Sequence, residues 1–381
     1  MRYLLSFLVG LLADDRAQIP SSLTDDYGAL LTTTLRAMQP EIKDNITKGN
    51  VFLSYLRSRD RFKKQDGGER VKVGLMHAHN SGADIYDGYG VLQTAPTDGI
   101  TSAFYEWAQL SVPITISGKE RKQNKGKHAI VSLLQTKTEQ SQASIMELLN
   151  NCLVSGKISS GTSSAQGQFV ARTGTLDTSA AGPLPLTALI DVTATRSAAI
   201  GNINPNTYGF WANQATASSA TTFAGLKQEI GAMYNDCSKG VGGGPDLMLG
   251  DQTGWETYFN SLQSQERFVV NDARTMDVFA GNDALAFRKA AFIWDEIVPD
   301  PDTNADRVDG IGSMTTSTIY FINSMAMTWC VESDTDFVTT DFIRPENQDA
   351  TVAQILWMGA IGTNNRRKLG VLSSIATNIT A

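Results

Sequence analysis

The sequence predicts an α+β protein, on three observations. A period-two run, Phe104-Tyr-Glu-Trp-Ala-Gln-Leu-Ser-Val-Pro-Ile-Thr-Ile116, puts Leu110, Val112, Ile114 and Ile116 on one face of a strand. After it, Ile130, Val131, Leu134, Ile145, Leu148, Leu149 and Cys152 recur at three- and four-residue spacing, crossing polar Lys137 and Ser141 until Gly156 offers a stop. That helix, about 128–155, is roughly 40 Å long at 1.5 Å per residue, which suits a strut. Finally, short apolar runs at 284–298, 318–331, 351–361 and 369–375 read as strands, with Gly362-Thr-Asn-Asn365 as hairpin chemistry between the last two.

The remaining elements follow in chain order. Met1 to Ala13 has the basic and apolar parts of a signal peptide, but its apolar run is too short to span a bilayer and reads as an ordered or partner-covered arm. Ser21 or Ser22 caps a helix with a Tyr27, Leu30, Leu31, Leu35, Met38 stripe, stopped by Pro40. A short helix around Ile42 to Ile46 and the apolar Val51 to Leu56 follow, and the whole stretch to Arg70 reads as an arm leaning on something else. Arg70-Val-Lys-Val-Gly-Leu75 alternates as a strand. Joined to the Phe104 strand through a long polar segment that includes Tyr86-Asp-Gly-Tyr-Gly90, it makes a hairpin that projects and needs a partner. Ser117 to Lys127 reads as a basic loop, and 157–220 as loops and short strands in which Phe210 and Trp211 require burial. A helix over 222–236, a short buried strand at Pro245 to Leu249 and a helix over 252–265 complete the chain.

With 381 residues, 41% apolar and 19% charged, the chain is an ordinary folded protein. Its net charge of -7 argues against a sequence-independent nucleic-acid binder, which needs a Lys and Arg excess to displace counterions. Three scattered cysteines, Cys152, Cys237 and Cys330, sit in apolar patterns and read as small core residues rather than a disulfide framework.

Catalytic signatures are weak. Gly240-Val-Gly-Gly-Gly244 lacks the Lys-Ser/Thr of a phosphate loop and precedes a strand, so it reads as a helix-to-strand turn. His77 and His79 lie two apart on a strand face without the further ligands zinc needs. No Ser-His-Asp set with motif context and no Gly-x-Ser-x-Gly elbow occurs. Asp300, Asp302 and Asp306 begin like a calcium loop and are the candidate cation ligands. The pattern then fails, with Ala305 at the turn-glycine position and Ile311 where a bidentate Glu belongs. Two basic groups, Lys119 to Lys127 and Arg366-Arg-Lys368, read as solvated turns or as surfaces for acidic groups or phosphates.

Taken in order, these parts resemble the major capsid protein of tailed double-stranded DNA bacteriophages, a fold shared with encapsulin shells. The resemblance covers about Pro20 to Ile375 and rests on Ile114-Thr-Ile-Ser-Gly-Lys-Glu120, Gly126-Lys-His-Ala-Ile130, Phe210-Trp-Ala-Asn213, Pro245-Asp-Leu-Met-Leu249 and a closing Trp357 to Leu372 hairpin. It implies an N-terminal arm (1–69), an extended-loop hairpin (70–116) and a peripheral domain with its spine helix (117–219). An axial domain (220–338) and C-terminal strands returning to the peripheral domain (339–381) complete it. It also implies a non-enzymatic subunit, without cofactor or membrane partner, that forms hexamers and pentamers of itself in an icosahedral virion head assembled in the host cytoplasm. Scaffolding and portal proteins, a decoration protein and weakly held DNA would be its partners. A strongly basic inner wall would oppose genome release, so the acidic balance agrees. Contacts between subunits would fall on Arg70, Lys72, Tyr86, Tyr89, Trp107, Lys119, Arg121 and Lys122, and Arg366, Arg367 and Lys368 would be inner-surface or turn residues. The competing expectations are an encapsulin-like compartment, a metal-dependent enzyme using Asp300, Asp302 and Asp306, and a secreted adhesin suggested by the leader and the Ser/Thr-rich middle.

Overall fold

A computed structural model describes residues 32–36, 46, 49–80, 82–83, 85, 87–90, 98–123, 127–154, 182–192, 199–240, 242–263, 285–295, 298, 317–376 and 379, without the side chains of 121–132. The chain divides into two compact units, each drawn from three stretches of sequence. One comprises Met1–Asp44, Ser111–Ala143 and Phe337–Leu356, and the other Asn45–Leu110, Ser144–Asp336 and Trp357–Ala381.

The larger unit is built on a six-stranded mixed sheet, ordered β5 (Gln214–Ala217), β13 (Gly370–Ile375), β9 (Ser317–Ile322), β6 (Leu247–Gly250), β8 (Ala290–Trp294), β7 (Leu285–Phe287). Every residue of β6 and β9 is buried, which is why Leu-Met-Leu and Thr-Ile-Tyr-Phe-Ile read as continuous apolar runs rather than alternating ones. Helix α5 (Phe223–Ser238), capped by Thr222 accepting from the Gly225 N–H, and α6 (Gln252–Gln263) cover this sheet. Leu226, Ile230, Met233 and Tyr258 from these helices meet Met248, Phe292, Phe321 and Leu372 in one core. Burial pushes the thiols of Cys152 and Cys237 up to about 12, so they are inert core groups, and all three cysteines are free.

The arm behaves differently from its expectation. Helix α1 (Val51–Ser58), capped by Asn50, buries Phe52, Leu53, Tyr55 and Leu56 within the larger unit. Strand β1 (Phe62–Gln65) then pairs in parallel with β10 (Met327–Glu332). From Asn50 onward the segment therefore leans on its own chain. Upstream, only 32–36, 46 and 49 fall within the described residues, all helical, so the expected Ser21/Ser22 cap and Pro40 stop lie outside them.

Strands β2 (Val71–Met76) and β3 (Ile100–Tyr105) form a two-stranded sheet of their own in a register running from Val71↔Tyr105 to Met76↔Ile100. The predicted single strand from Phe104 to Ile116 is two strands. It breaks at Glu106-Trp107, because β3 pairs with β2 whereas β4 (Ala108–Ser117) pairs with β12 (Ala350–Thr363). Arg70 Nε–Glu106 Oε1 (3.1 Å) and Trp107 Nε1 donating to Gly68 O (2.8 Å) pin the break. In β4 the predicted alternation holds, with Leu110, Ile114 and Ile116 buried between exposed residues.

Four further expectations change. The Leu184 to Ile190 segment contains a one-turn helix, α4 (Leu186–Leu189), whose four residues are all buried. The 284–298 run contains the antiparallel pair β7–β8, turning at Arg288-Lys289. The 318–331 run splits into β9 and β10 around a 3-10 turn at Ser324–Ala326, and the two strands enter different sheets. Nor is there a closing 357–372 hairpin, since β12 pairs with β10 while β13 pairs with β5 and β9.

In the smaller unit, α2 (Gly118–Gln123) replaces the expected basic loop. Ser117 and Glu120 close a reciprocal capping box: Glu120 N donates to Ser117 Oγ (3.2 Å) and Ser117 N to Glu120 Oε2 (3.1 Å). The spine helix α3 (Lys127–Val154), 28 residues and about 42 Å long, begins in this unit, where Leu134 packs with Ile116 and Phe342. Its polar midpoint is buried and satisfied: Thr138 Oγ1 donates back to Leu134 O (2.8 Å) and Ser141 Oγ to Pro113 O (3.2 Å). Further along, in the larger unit, Ile145, Leu149, Cys152, Leu153 and Val154 are buried. Strand β11 (Val338–Thr339) pairs with β12 at Ile355 and Leu356.

Candidate assembly surface

Among the described residues, most exposed large apolar side chains of the larger unit lie on the β2–β3 hairpin and the segment joining its strands. Met76 is 77% exposed, Ile85 98%, Tyr89 103% and Ile100 76%. Val71, Leu75, Ala103 and Tyr105 bury the hairpin's other face, so these exposed apolar side chains gather on one limb rather than standing singly. Arg70 pairs with Glu106, and Lys72 lies 5.8 Å from the centroid of the Phe104 ring, so both extend the hairpin's polar face. Trp107 is half-buried, and its N–H is already spent on Gly68. Tyr86 lies outside the described residues. His77 and His79 are exposed, and the His77 ring stacks on Phe210 at 5.0 Å.

The hairpin is anchored at its base by Tyr105, a residue the sequence did not single out. Its hydroxyl donates to Thr363 O (2.7 Å) and accepts from Thr363 N (3.0 Å), while Thr363 Oγ1 donates to Ala326 O (2.7 Å). A Cβ at Gly362 would sit 2.5 Å from the Tyr105 ring, so this close approach requires glycine. Burial pushes the Tyr105 phenol well above its ordinary range.

Three residues later stands the largest departure from expectation. Arg366-Arg-Lys368 does form a turn, a 3-10 helix, but Arg366 is 1% exposed and Lys368 3%, and only Arg367 faces solvent. Arg366 Nε donates to Leu189 O (2.9 Å), Nη1 to Trp211 O (3.1 Å) and Nη2 to Asn213 Oδ1 (3.1 Å). Asn213 is itself held by donating to Asp191 O (2.7 Å), and Trp211 Nε1 donates to Ile200 O (2.8 Å). Desolvation lowers the Arg366 pKa to about 10, opposed by the nearby Tyr105 and Asp191. Arg366 and Lys368 are thus interior fastenings and not an inner-surface patch, because each spreads three donors over three oxygens of its own chain.

In the smaller unit, Lys119 is exposed on α2, which also carries Arg121 and Lys122; the side chains of these two lie outside the described residues. The capping hydrogen bonds from Ser117, aided by Lys137 at 3.9 Å, hold Glu120 below the usual carboxylate range. Asp300, Asp302 and Asp306 also lie outside the described residues. Among those described, no group of three or more His, Cys, Asp or Glu could hold a metal ion, and no helix is long and apolar enough to cross a membrane.

Neither a protein-family model nor a curated protein matches the sequence. Solved structures do match its fold. The capsid asymmetric unit of cyanophage A-1(L) aligns with a TM-score of 0.53 at 10% identity, covering 83% of this chain and 90% of that one. The holo-SrpI encapsulin complex from Synechococcus elongatus PCC 7942 aligns at 0.49 and 9% identity, over 86% and 89%. The capsid of Myoviridae phage XM1 aligns at 0.46 and 12% identity, over 81% and 87%. The chain has the capsid-shell fold that its order of arm, hairpin, spine helix and strands implied.

Proposed function

We propose that this chain is the major capsid protein of a tailed double-stranded DNA bacteriophage, a structural subunit that assembles with itself into hexamers and pentamers of a closed head. The observation that carries the proposal is the β2–β3 hairpin: a two-stranded limb bearing Met76, Ile85, Tyr89 and Ile100 in solvent, in a chain with a capsid-shell fold. Such a limb gains burial by lying across a neighbour, and obligate interfaces bury roughly 2,000–5,000 Å². Heterologous contacts that close into rings, then join through further contacts, build a shell.

In this reading Arg70, Lys72, Tyr86, Tyr89, Trp107, Lys119, Arg121 and Lys122 contribute to contacts between subunits. The segments 1–69, 70–116, 117–219, 220–338 and 339–381 serve as arm, extended loop, peripheral domain, axial domain and returning strands. Scaffolding and portal proteins and packaged DNA are the expected partners, with no catalytic role for the subunit. Negative-stain microscopy of the purified protein should show rings or closed particles, whereas a stable monomer under all conditions, scaffold included, would end the proposal. Shortening the tip between Met76 and Gly99 should spare the subunit's thermal unfolding and abolish closed particles. Normal shells from the shortened chain would remove the hairpin from the interface. Nucleic acid inside native particles supports the phage head; a packaged enzyme instead would assign the same fold to an encapsulin-type compartment.

A further inference from the structure

The turn after α5 has the glycine content of an anion cradle and the opposite polarity. Gly240, Gly242 and Gly243 take φ of +90°, +110° and +72°, conformations that side chains other than glycine rarely adopt. The turn meets its neighbours through carbonyl oxygens rather than N–H groups. Lys368 Nζ donates to Ser238 O (3.3 Å), Gly240 O (3.1 Å) and Gly243 O (2.9 Å). From a second side Asn323 Nδ2 donates to the carbonyls of Gly242 (3.1 Å), Gly243 (3.3 Å) and Gly244 (3.1 Å). An ammonium has three donors, and all three of Lys368's end on neutral carbonyls. Its fit resembles a cation dehydrated by a ring of backbone oxygens more than an ion pair.

We infer that the carbonyls of Ser238, Gly240, Gly242, Gly243 and Gly244 form a primary-ammonium site whose ligand is the chain's own Lys368, and that this tethered cation holds the glycine turn closed. Converging carbonyl dipoles repel one another, and three consecutive carbonyls cannot all be met by the single Asn323 amide without a cation beside them. Lys368 is a positioning residue: it fastens the turn between β12 and β13 to the end of α5. Lys368, Asn323 and Gly242 also line a cavity of about 270 Å³ that Gly74, Leu75 and Met76 of β2 line as well. Opening the turn therefore changes the cavity beside the base of the hairpin.

Amide hydrogen exchange on the full-length protein tests the site. Lys368→Met keeps the volume and removes the charge, so the amides that brace the turn, Lys239 N on Asp236 O and Asp246 N on Ile322 O, should exchange about tenfold faster or more while those of β8 stay unchanged. In Lys368→Ala, propylammonium should restore the turn's protection and 1-propanol at the same concentration should not. Unchanged exchange in Lys368→Met, or equal restoration by the neutral alcohol, overturns the inference. If Lys368→Ala does not fold unaided, refolding yield with the amine against the alcohol gives the same decision, equal yields overturning it. No readout here requires an assembled shell, so the result is independent of the capsid proposal.

Discussion

Two basic clusters that look alike in sequence take opposite roles. Ser117-Gly-Lys-Glu-Arg-Lys and Asn364-Asn-Arg-Arg-Lys each put three cations within six residues after a strand. The first becomes the capped helix α2, with Lys119 in water. The second buries two of its three cations against neutral carbonyls. What separates them is not their own chemistry but the acceptors around them. Near Arg366, the end of α4 and the Trp211 to Asn213 segment leave carbonyl and amide oxygens facing inward, and a guanidinium satisfies three at once. Near Lys119, the first turn of α2 presents N–H donors, capped by Ser117 and Glu120, rather than the acceptors an ammonium needs, so the lysine stays in water.

That contrast can be tested at each site. Arg366→Met should cost about 3–5 kcal/mol in denaturant unfolding, because it leaves Leu189 O, Trp211 O and Asn213 Oδ1 without their donor. A cost under about 1 kcal/mol would mean that water replaces the guanidinium and that the two clusters do not differ. Ser117→Ala should cost about 1 kcal/mol in thermal unfolding, the usual worth of an N-cap, and no loss would remove the capping box as the reason for α2. Smallest of all, Lys119→Ala should shift stability by no more than about 0.5 kcal/mol, as for an exposed residue without a buried partner. Its effect, under the capsid proposal, belongs in particle yield by electron microscopy.

Much of the architecture was legible because it rests on local periodicity. The spine helix expected over about 128–155 is helical over Lys127–Val154, since apolar recurrence at three- and four-residue spacing acts at short range. The hairpin strands, α5, α6 and the polarity of β4 were legible for the same reason, and the Ser117-x-x-Glu120 signal for α2 was present but hidden by the charge of its neighbours. The roles of Tyr105, Asn213 and Asn323 were not legible, although Asn213 stands in the Phe210-Trp-Ala-Asn213 motif. Their partners lie 258, 153 and about 80 residues away in sequence.

Periodicity and composition alone established the α+β class, the long helix, the strands of the hairpin and the acidic balance, because these depend on which side chains recur within a few residues. Strand order and the fate of each polar group were decided in three dimensions. Whether Gly362 to Lys368 closes a hairpin or carries the chain from one sheet to another depends on what Arg366 and Lys368 meet there. A buried cation is tolerated only where distant segments converge their oxygens on it, and such convergence is a property of the folded chain.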